Sequence, residues 1–224
     1  MKASKPKTAT QAPEADTQRP VTISPTKLPT LKPAIETLGL LTGSRNGESF
    51  TCQLVHIGKG LLATASHCTE NATMLAGSWP GQQGTTFSLR VLETVETTST
   101  EVESITFLAT VERAFSVKSS IDLLAAYVEP SLSYPSPLIV KFLDGTGTSS
   151  TRSCEPRRYN EEGLIAYACE TSGGMSGALV MREQDGRAIG IHVGRLSGLG
   201  YGAAFLAFIS RAKQRIAQDL GVPP

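Results

Sequence analysis

The stretch Cys169-Glu170-Thr171-Ser172-Gly173-Gly174-Met175-Ser176-Gly177-Ala178-Leu179-Val180 sets one serine in a glycine-rich turn directly before an apolar strand. Gly173, Gly174 and Gly177 allow backbone angles that other residues resist, so the chain can bend sharply here and aim neighbouring N–H groups at one point. Such a turn exposes the serine and has the geometry that an oxyanion hole requires. An ordinary glycine hairpin loop would read the same way in isolation. What the turn is for therefore depends on the partners that the rest of the chain can bring to it.

The chain holds three histidines, and His67 closes the apolar run Gly60-Leu61-Leu62-Ala63-Thr64-Ala65-Ser66-His67-Cys68. Further on, Ser120-Ile121-Asp122-Leu123-Leu124-Ala125-Ala126-Tyr127-Val128 sets a single acid at the mouth of another apolar run. A carboxylate beside such a run is costly to bury unless it is hydrogen-bonded, and an imidazole N–H is a natural donor.

Ala63-Thr64-Ala65-Ser66-His67-Cys68, Ile121-Asp122-Leu123-Leu124 and Gly173-Gly174-Met175-Ser176-Gly177 resemble the three catalytic blocks of the chymotrypsin-like serine proteases, in that family's order of His, Asp and Ser. The resemblance spans residues 35 to 219. It implies an all-β fold of two six-stranded antiparallel β-barrels with the active site between them, closed by a C-terminal helix. It also implies a catalytic triad of His67, Asp122 and Ser176, with the N–H groups of Gly174 and Ser176 as the oxyanion hole. Taken singly, His67 could be a satisfied strand-end histidine and Asp122 a turn cap.

The pattern along the chain agrees with that architecture. Residues 1–34, rich in Lys, Thr, Pro, Ala and Gln, read as a disordered arm. Residues 35–224 read as the protease domain, with 35–129 as the first barrel, 138–206 as the second and 208–220 as the helix, where Ile209, Ala212, Ile216 and Leu220 recur at helical spacing. Strands are expected near 37–41, 50–57, 61–65, 85–94, 105–114 and 123–128, then near 138–143, 164–169, 178–181, 188–193 and 201–206. Pro130, Pro135 and Pro137 mark the connector between barrels, and Asp185-Gly186 marks a hairpin.

A formal net charge of +1 over 224 residues argues against a nucleic-acid partner, and Arg152, Arg157 and Arg158 read as a solvated loop. The longest apolar run, Ala203 to Ile209, is strand-length, so no membrane span is expected. The four cysteines allow three pairings. In the resembled family a disulfide at the place of Cys52 and Cys68 fixes the histidine loop, which would leave Cys154 with Cys169. Disulfides point to an oxidising compartment, hence a secreted or periplasmic protein, although no signal peptide is visible in the chain. Buried free thiols are the plain alternative. A zinc site from Cys52, His56, His67 and Cys68 is poor, because neighbours such as His67 and Cys68 on a strand face opposite ways. No metal and no cofactor is expected; the partner is a polypeptide substrate and the protein a monomer.

For specificity, Ala188-Ile189-Gly190-Ile191-His192-Val193-Gly194 matches the strand that walls the primary pocket in the resembled family. A histidine at His192 is similar to the Glu-specific bacterial endopeptidases and the Glu/Gln-specific viral proteases, and Thr171 matches a pocket-lining threonine of the glutamyl endopeptidases. Glu170 lies close to where trypsin-like enzymes keep the acid that binds Lys or Arg, so a basic preference is the competing reading. Met175 replaces the acid that precedes the nucleophile in the trypsin branch, and Val193 replaces a serine that supports the catalytic acid there. An α/β-hydrolase elbow would need glycine at position 178, where this chain has Ala178. A non-catalytic protease-like binding module is the alternative from another class.

Overall fold

A computed structural model describes residues 37–58, 60–80, 82, 85–95, 104–111, 137–159, 164–196 and 199–204. The first six strands are β1 (Leu38–Arg45), β2 (Glu48–Gly58), β3 (Leu61–Ala65), β4 (Met74–Ser78), β5 (Phe87–Val95) and β6 (Ile105–Thr110). They close into an antiparallel barrel in the order β1-β2-β3-β6-β5-β4. The next six are β7 (Leu138–Leu143), β8 (Ser149–Tyr159), β9 (Leu164–Ala168), β10 (Leu179–Arg182), β11 (Ala188–Leu196) and β12 (Leu199–Ala204). They close in the order β7-β8-β9-β12-β11-β10, so the second barrel repeats the strand order of the first. The expected pair of six-stranded antiparallel barrels is therefore present. The expected arm at 1–34, the helix at 208–220 and all of the connector at 130–137 except Pro137 lie outside the described residues.

Two strands depart from expectation. Met74–Ser78 supplies the barrel's sixth strand and closes it through β1 and β5, with Leu41 opposite Gly77 and Gly77 opposite Phe87. The segment 123–128, expected in that role, lies outside the described residues. The glycine that obscures β4 in sequence is required by packing: a methyl group on Gly77 would lie 2.9 Å from the Trp79 ring and 3.0 Å from Leu54. The second departure is β8, where the cluster Arg152, Arg157 and Arg158 reads as a solvated loop and where Pro156 lies within the strand. Its register shifts between Pro156 and Arg158, so the proline sits at a bulge where its missing N–H does no harm. Arg152 and Arg157 are exposed as expected, but they stand on a strand.

The Asp185-Gly186 turn does join two strands. Gly186 takes φ +67° and donates to the Arg182 carbonyl at 2.8 Å, while Asp185 accepts from Arg182 Nε at 3.0 Å and from the Arg187 main chain at 3.2 Å. The apolar faces pack inward, and one cluster runs through both barrels: Leu143, Leu179, Met181, Ile191 and Val193 of the second join Leu41, Leu54, Leu62 and Phe107 of the first. A shared core fixes one barrel against the other, which is the condition for any site assembled from both.

Candidate active site

The segment before β10 is built from two consecutive tight turns. Met175 N donates to the Ser172 carbonyl at 3.3 Å and Ala178 N to the Met175 carbonyl at 2.9 Å. Each turn has a glycine at its third position, Gly174 with φ +83° and Gly177 with φ +87°, the signature of type II turns. Ser176 is thereby lifted out between the glycines and is partly exposed, while Met175 on its other side is buried and takes the Ser172 N–H on its sulfur at 3.3 Å. Gly174 and Ser176 themselves have no acceptor for their N–H groups among the described residues. Two free donors flanking one buried residue form a place where a developing negative oxygen could be held.

Both barrels anchor this turn. From the second, Gly177 N donates to the His192 carbonyl and His192 N to the Ala178 carbonyl, each at 2.7 Å. From the first, Gln53 N on β2 donates to the Ser176 carbonyl at 2.7 Å. Gly177 is packed so closely on β2 that a methyl there would lie 2.1 Å from the Gln53 carbonyl oxygen and 2.6 Å from Thr64 Oγ1. Only glycine can occupy this position.

His67 reaches the same part of β2 from the other side. It lies in a 3-10 turn, Ser66–Cys68, directly after β3. Cys68 is disulfide-bonded to Cys52, the residue next to Gln53, and a ring nitrogen of His67 lies within 4.8 Å of both sulfurs. The two sulfurs are bonded to each other, so they are not thiolate ligands for a metal; His56, the other nitrogen of that constellation, accepts the Gly60 N–H at 3.2 Å inside the barrel. Ser66 N donates to the Ser104 carbonyl at 2.9 Å, Thr69 Oγ1 to the Ser66 carbonyl at 2.9 Å, and Arg45, stacked 5.1 Å above the Phe50 ring, donates to the His67 carbonyl. The dipeptide Cys52-Gln53 thus ties the histidine turn to the serine turn. Asp122 lies outside the described residues.

Cys154 and Cys169 form the second disulfide, which pins the start of the serine segment to β8. Glu170, the next residue, is exposed, whereas Thr171 is buried. Thr171 and the Tyr167 ring both crowd Gly200, where a methyl would lie 2.6 Å from Tyr167 and 3.3 Å from Thr171. The Tyr167 hydroxyl meets His192 Nδ1 at 2.5 Å, both side chains being buried. Burial pushes the Tyr167 phenol well above its ordinary value, so it remains a hydroxyl through the neutral range. Tyr167 and His192 thus form one buried hydrogen-bonded pair beside the turn, with Thr171 packed near Gly200 through its methyl group. On the other side of the turn a cavity of about 290 Å³ is lined by Thr51, Gln53, Phe142, Gly145 and Gly174.

Solved structures with this arrangement of strands were found by comparison. The human pathogenic astrovirus serine protease superposes with a TM-score of 0.54 at 16% identity, over 76% of this chain and 90% of that one. The fold is that of the chymotrypsin-like serine proteases. The serine endoprotease from Yersinia pestis gives 0.62 at 11% identity, over 85% of this chain and 66% of that one. The scabies mite inactivated protease paralogue also gives 0.62, at 12% identity, over 85% of this chain and 99% of that one. No family model matches the chain, and no curated protein matches it in sequence.

Sequence reading missed Gln53, Tyr167, Arg45 and Thr64 as parts of this site. Gln53 carried a usable signal, since it is a polar residue inside the strand-like run Cys52-Gln53-Leu54-Val55-His56-Ile57, and a buried polar residue needs a partner.

Proposed function

We propose that the chain is a serine endopeptidase that cleaves polypeptides after Glu or Gln. The observation that supports it best is the pair of N–H groups at Gly174 and Ser176, without acceptors among the described residues, in a turn that Gln53 and the Cys52–Cys68 disulfide tie to His67. In this reading Ser176 Oγ attacks the scissile carbonyl carbon as His67 takes the hydroxyl proton, and the carbonyl oxygen becomes an oxyanion held by the two N–H groups. The C–N bond then breaks, His67 returns the proton to the leaving amine, and an acyl-enzyme remains on Ser176. Water, deprotonated by His67, attacks that ester and restores Ser176. Asp122 has the role of holding the imidazole tautomer.

The preference for Glu or Gln rests on the Tyr167–His192 pair, with Thr171 buried nearby. A phenol that stays protonated can donate to His192 Nδ1, which sets the remaining hydrogen on Nε2 as a donor for a substrate side-chain oxygen. Glu170, the residue that would select Lys or Arg, is exposed, whereas Thr171 and His192 are buried. Two disulfides fit a secreted or periplasmic protein, and the chemistry requires no metal or cofactor.

The fold also serves a protein described as an inactivated protease paralogue, so a binding module is the second reading. Incubating the intact chain and Ser176→Ala with a peptide library, with cleavage positions read by mass spectrometry, separates them. Cuts after Glu or Gln that vanish in the variant are expected. Cuts after Lys or Arg would transfer specificity to Glu170. The absence of both Ser176-dependent cleavage and labelling by a fluorophosphonate would leave the binding module.

A further inference from the structure

We propose that the Gln53 side chain is a positioning residue for the serine turn, and that its amide substitutes for a missing piece of strand between the two barrels. The kinetic part of this inference rests on the reading of Ser176 as a nucleophile; the positional part does not.

In the second barrel β10 begins with Leu179 opposite Lys141 of β7. Continuing that register would set Gly177 opposite Leu143, but the chain there has already left the sheet to form the turns that carry Ser176. The main-chain groups of Leu143 would lose their partner on that side. Gln53, a residue of the other barrel and 1% exposed, takes the vacant place. Its Oε1 accepts the Leu143 N–H at 2.8 Å and its Nε2 donates to the Leu143 carbonyl at 3.0 Å, the pair of bonds that a peptide group would make. The second hydrogen on Nε2 goes to the Gly174 carbonyl at 2.7 Å. Three of the four hydrogen-bonding positions of a buried amide are satisfied by these contacts.

The consequence falls on the oxyanion site. The carbonyls of Gly174 and Ser176 are held by the side chain and the main-chain N–H of one residue, Gln53, at 2.7 Å each. The same two residues present the N–H groups that lack acceptors among the described residues. The two fixed carbonyls belong to the Gly174–Met175 and Ser176–Gly177 peptide planes, which flank the Met175–Ser176 plane carrying the Ser176 N–H, while the first also adjoins, at the Gly174 Cα, the plane carrying the Gly174 N–H. Each donor plane is thus joined through at least one Cα to a plane that Gln53 holds, so Gln53 limits how far the two donors can diverge before substrate arrives. Preorganised donors are effective because they need no reorientation during reaction.

The test compares the full chain with Gln53→Met, which keeps the length of the side chain and removes its hydrogen bonds, and with Gln53→Glu, which keeps an acceptor for Leu143 N but cannot donate to either carbonyl when ionised. Steady-state cleavage and amide hydrogen exchange are measured on each. The expected result is a kcat lower by about 10- to 100-fold in both variants with KM within about threefold. Exchange should be faster at the hydrogen-bonded N–H groups of Met175, Gly177 and Ala178 and unchanged in β3, β5 and β6. A kcat within about twofold of the parent together with unaltered exchange in the turn overturns the inference. If the parent shows no Ser176-dependent cleavage, the protease reading fails, and exchange alone decides whether Gln53 holds the turn. If Gln53→Met does not fold, the same two measurements on Gln53→Glu decide it.

Discussion

At the scale of single residues, the site depends on positions where one atom too many or too few matters. Gly177 combines φ +87° with the 2.1 Å approach to the Gln53 carbonyl, so Gly177→Ala must both strain its backbone and push β2 away. A loss of at least about 2 kcal/mol of stability is expected, seen as a fall in Tm, together with loss of cleavage. Tyr167 is the opposite case, where one oxygen is removable without disturbing packing. Tyr167→Phe deletes the 2.5 Å contact with His192 Nδ1 and leaves the ring against Gly200. The kcat/KM for peptides with Glu or Gln at the cleavage site should drop about tenfold, the size of one lost hydrogen bond to a buried group, while a small unspecific ester is hydrolysed almost as before. Equal losses on both substrates would mean that Tyr167 supports the turn and not the pocket.

At the scale of elements, the β10–β11 hairpin feeds the turn into the second barrel and is pinned by Asp185. Burial pushes this carboxyl up, but the bonds from Arg182 and the Arg187 main chain, with the charges of both guanidinium groups, outweigh it and hold the group below its ordinary value. A depressed folded-state value means that the stabilisation is present above the unfolded-state value, about 4, and is lost as pH falls through the folded one. In Asp185→Asn the Tm should lie below the parent's at neutral pH, and the gap should narrow as pH falls below about 4, read by thermal melting across pH. A gap that stays constant with pH would remove the ionic contribution. The strands β4 and β8 show why element boundaries were the least legible part of the sequence. Gly77 is a requirement of close packing and Pro156 a requirement of a bulge, yet each is a strand-breaking signal when read locally.

At the scale of the whole molecule, one apolar cluster runs through both barrels while a second lies within the second barrel alone, so the two barrels are coupled through the shared cluster. Leu179 is buried in it at the point where β10 leaves the serine turn. Leu179→Ala should cost about 2 to 5 kcal/mol and still give a single calorimetric transition with matching van't Hoff and calorimetric enthalpies. Two resolved transitions would show that the barrels unfold separately. The same coupling explains how His67 and Ser176, 109 positions apart in the chain, are tied to neighbouring residues of one strand: Cys52 takes the histidine turn by a covalent bond and Gln53 takes the serine turn by hydrogen bonds.

The sequence by itself determined the strand-rich class and the glycine-flanked serine, because those rest on local patterns: short apolar runs between turn residues and glycines where φ must be positive. The two barrels and the Cys52–Cys68 bridge followed from the resemblance of three short blocks to one family, and the pairing of Cys154 with Cys169 stayed open until the structure closed it. Only the tertiary structure decided what closes the first barrel, that Tyr167 stands on His192, and that Gln53 replaces a strand residue beside Leu143. These are contacts between residues distant in the chain. A hydrogen bond between positions 53 and 143 leaves no periodic trace near either one; it exists because the shared core brings the barrels together there.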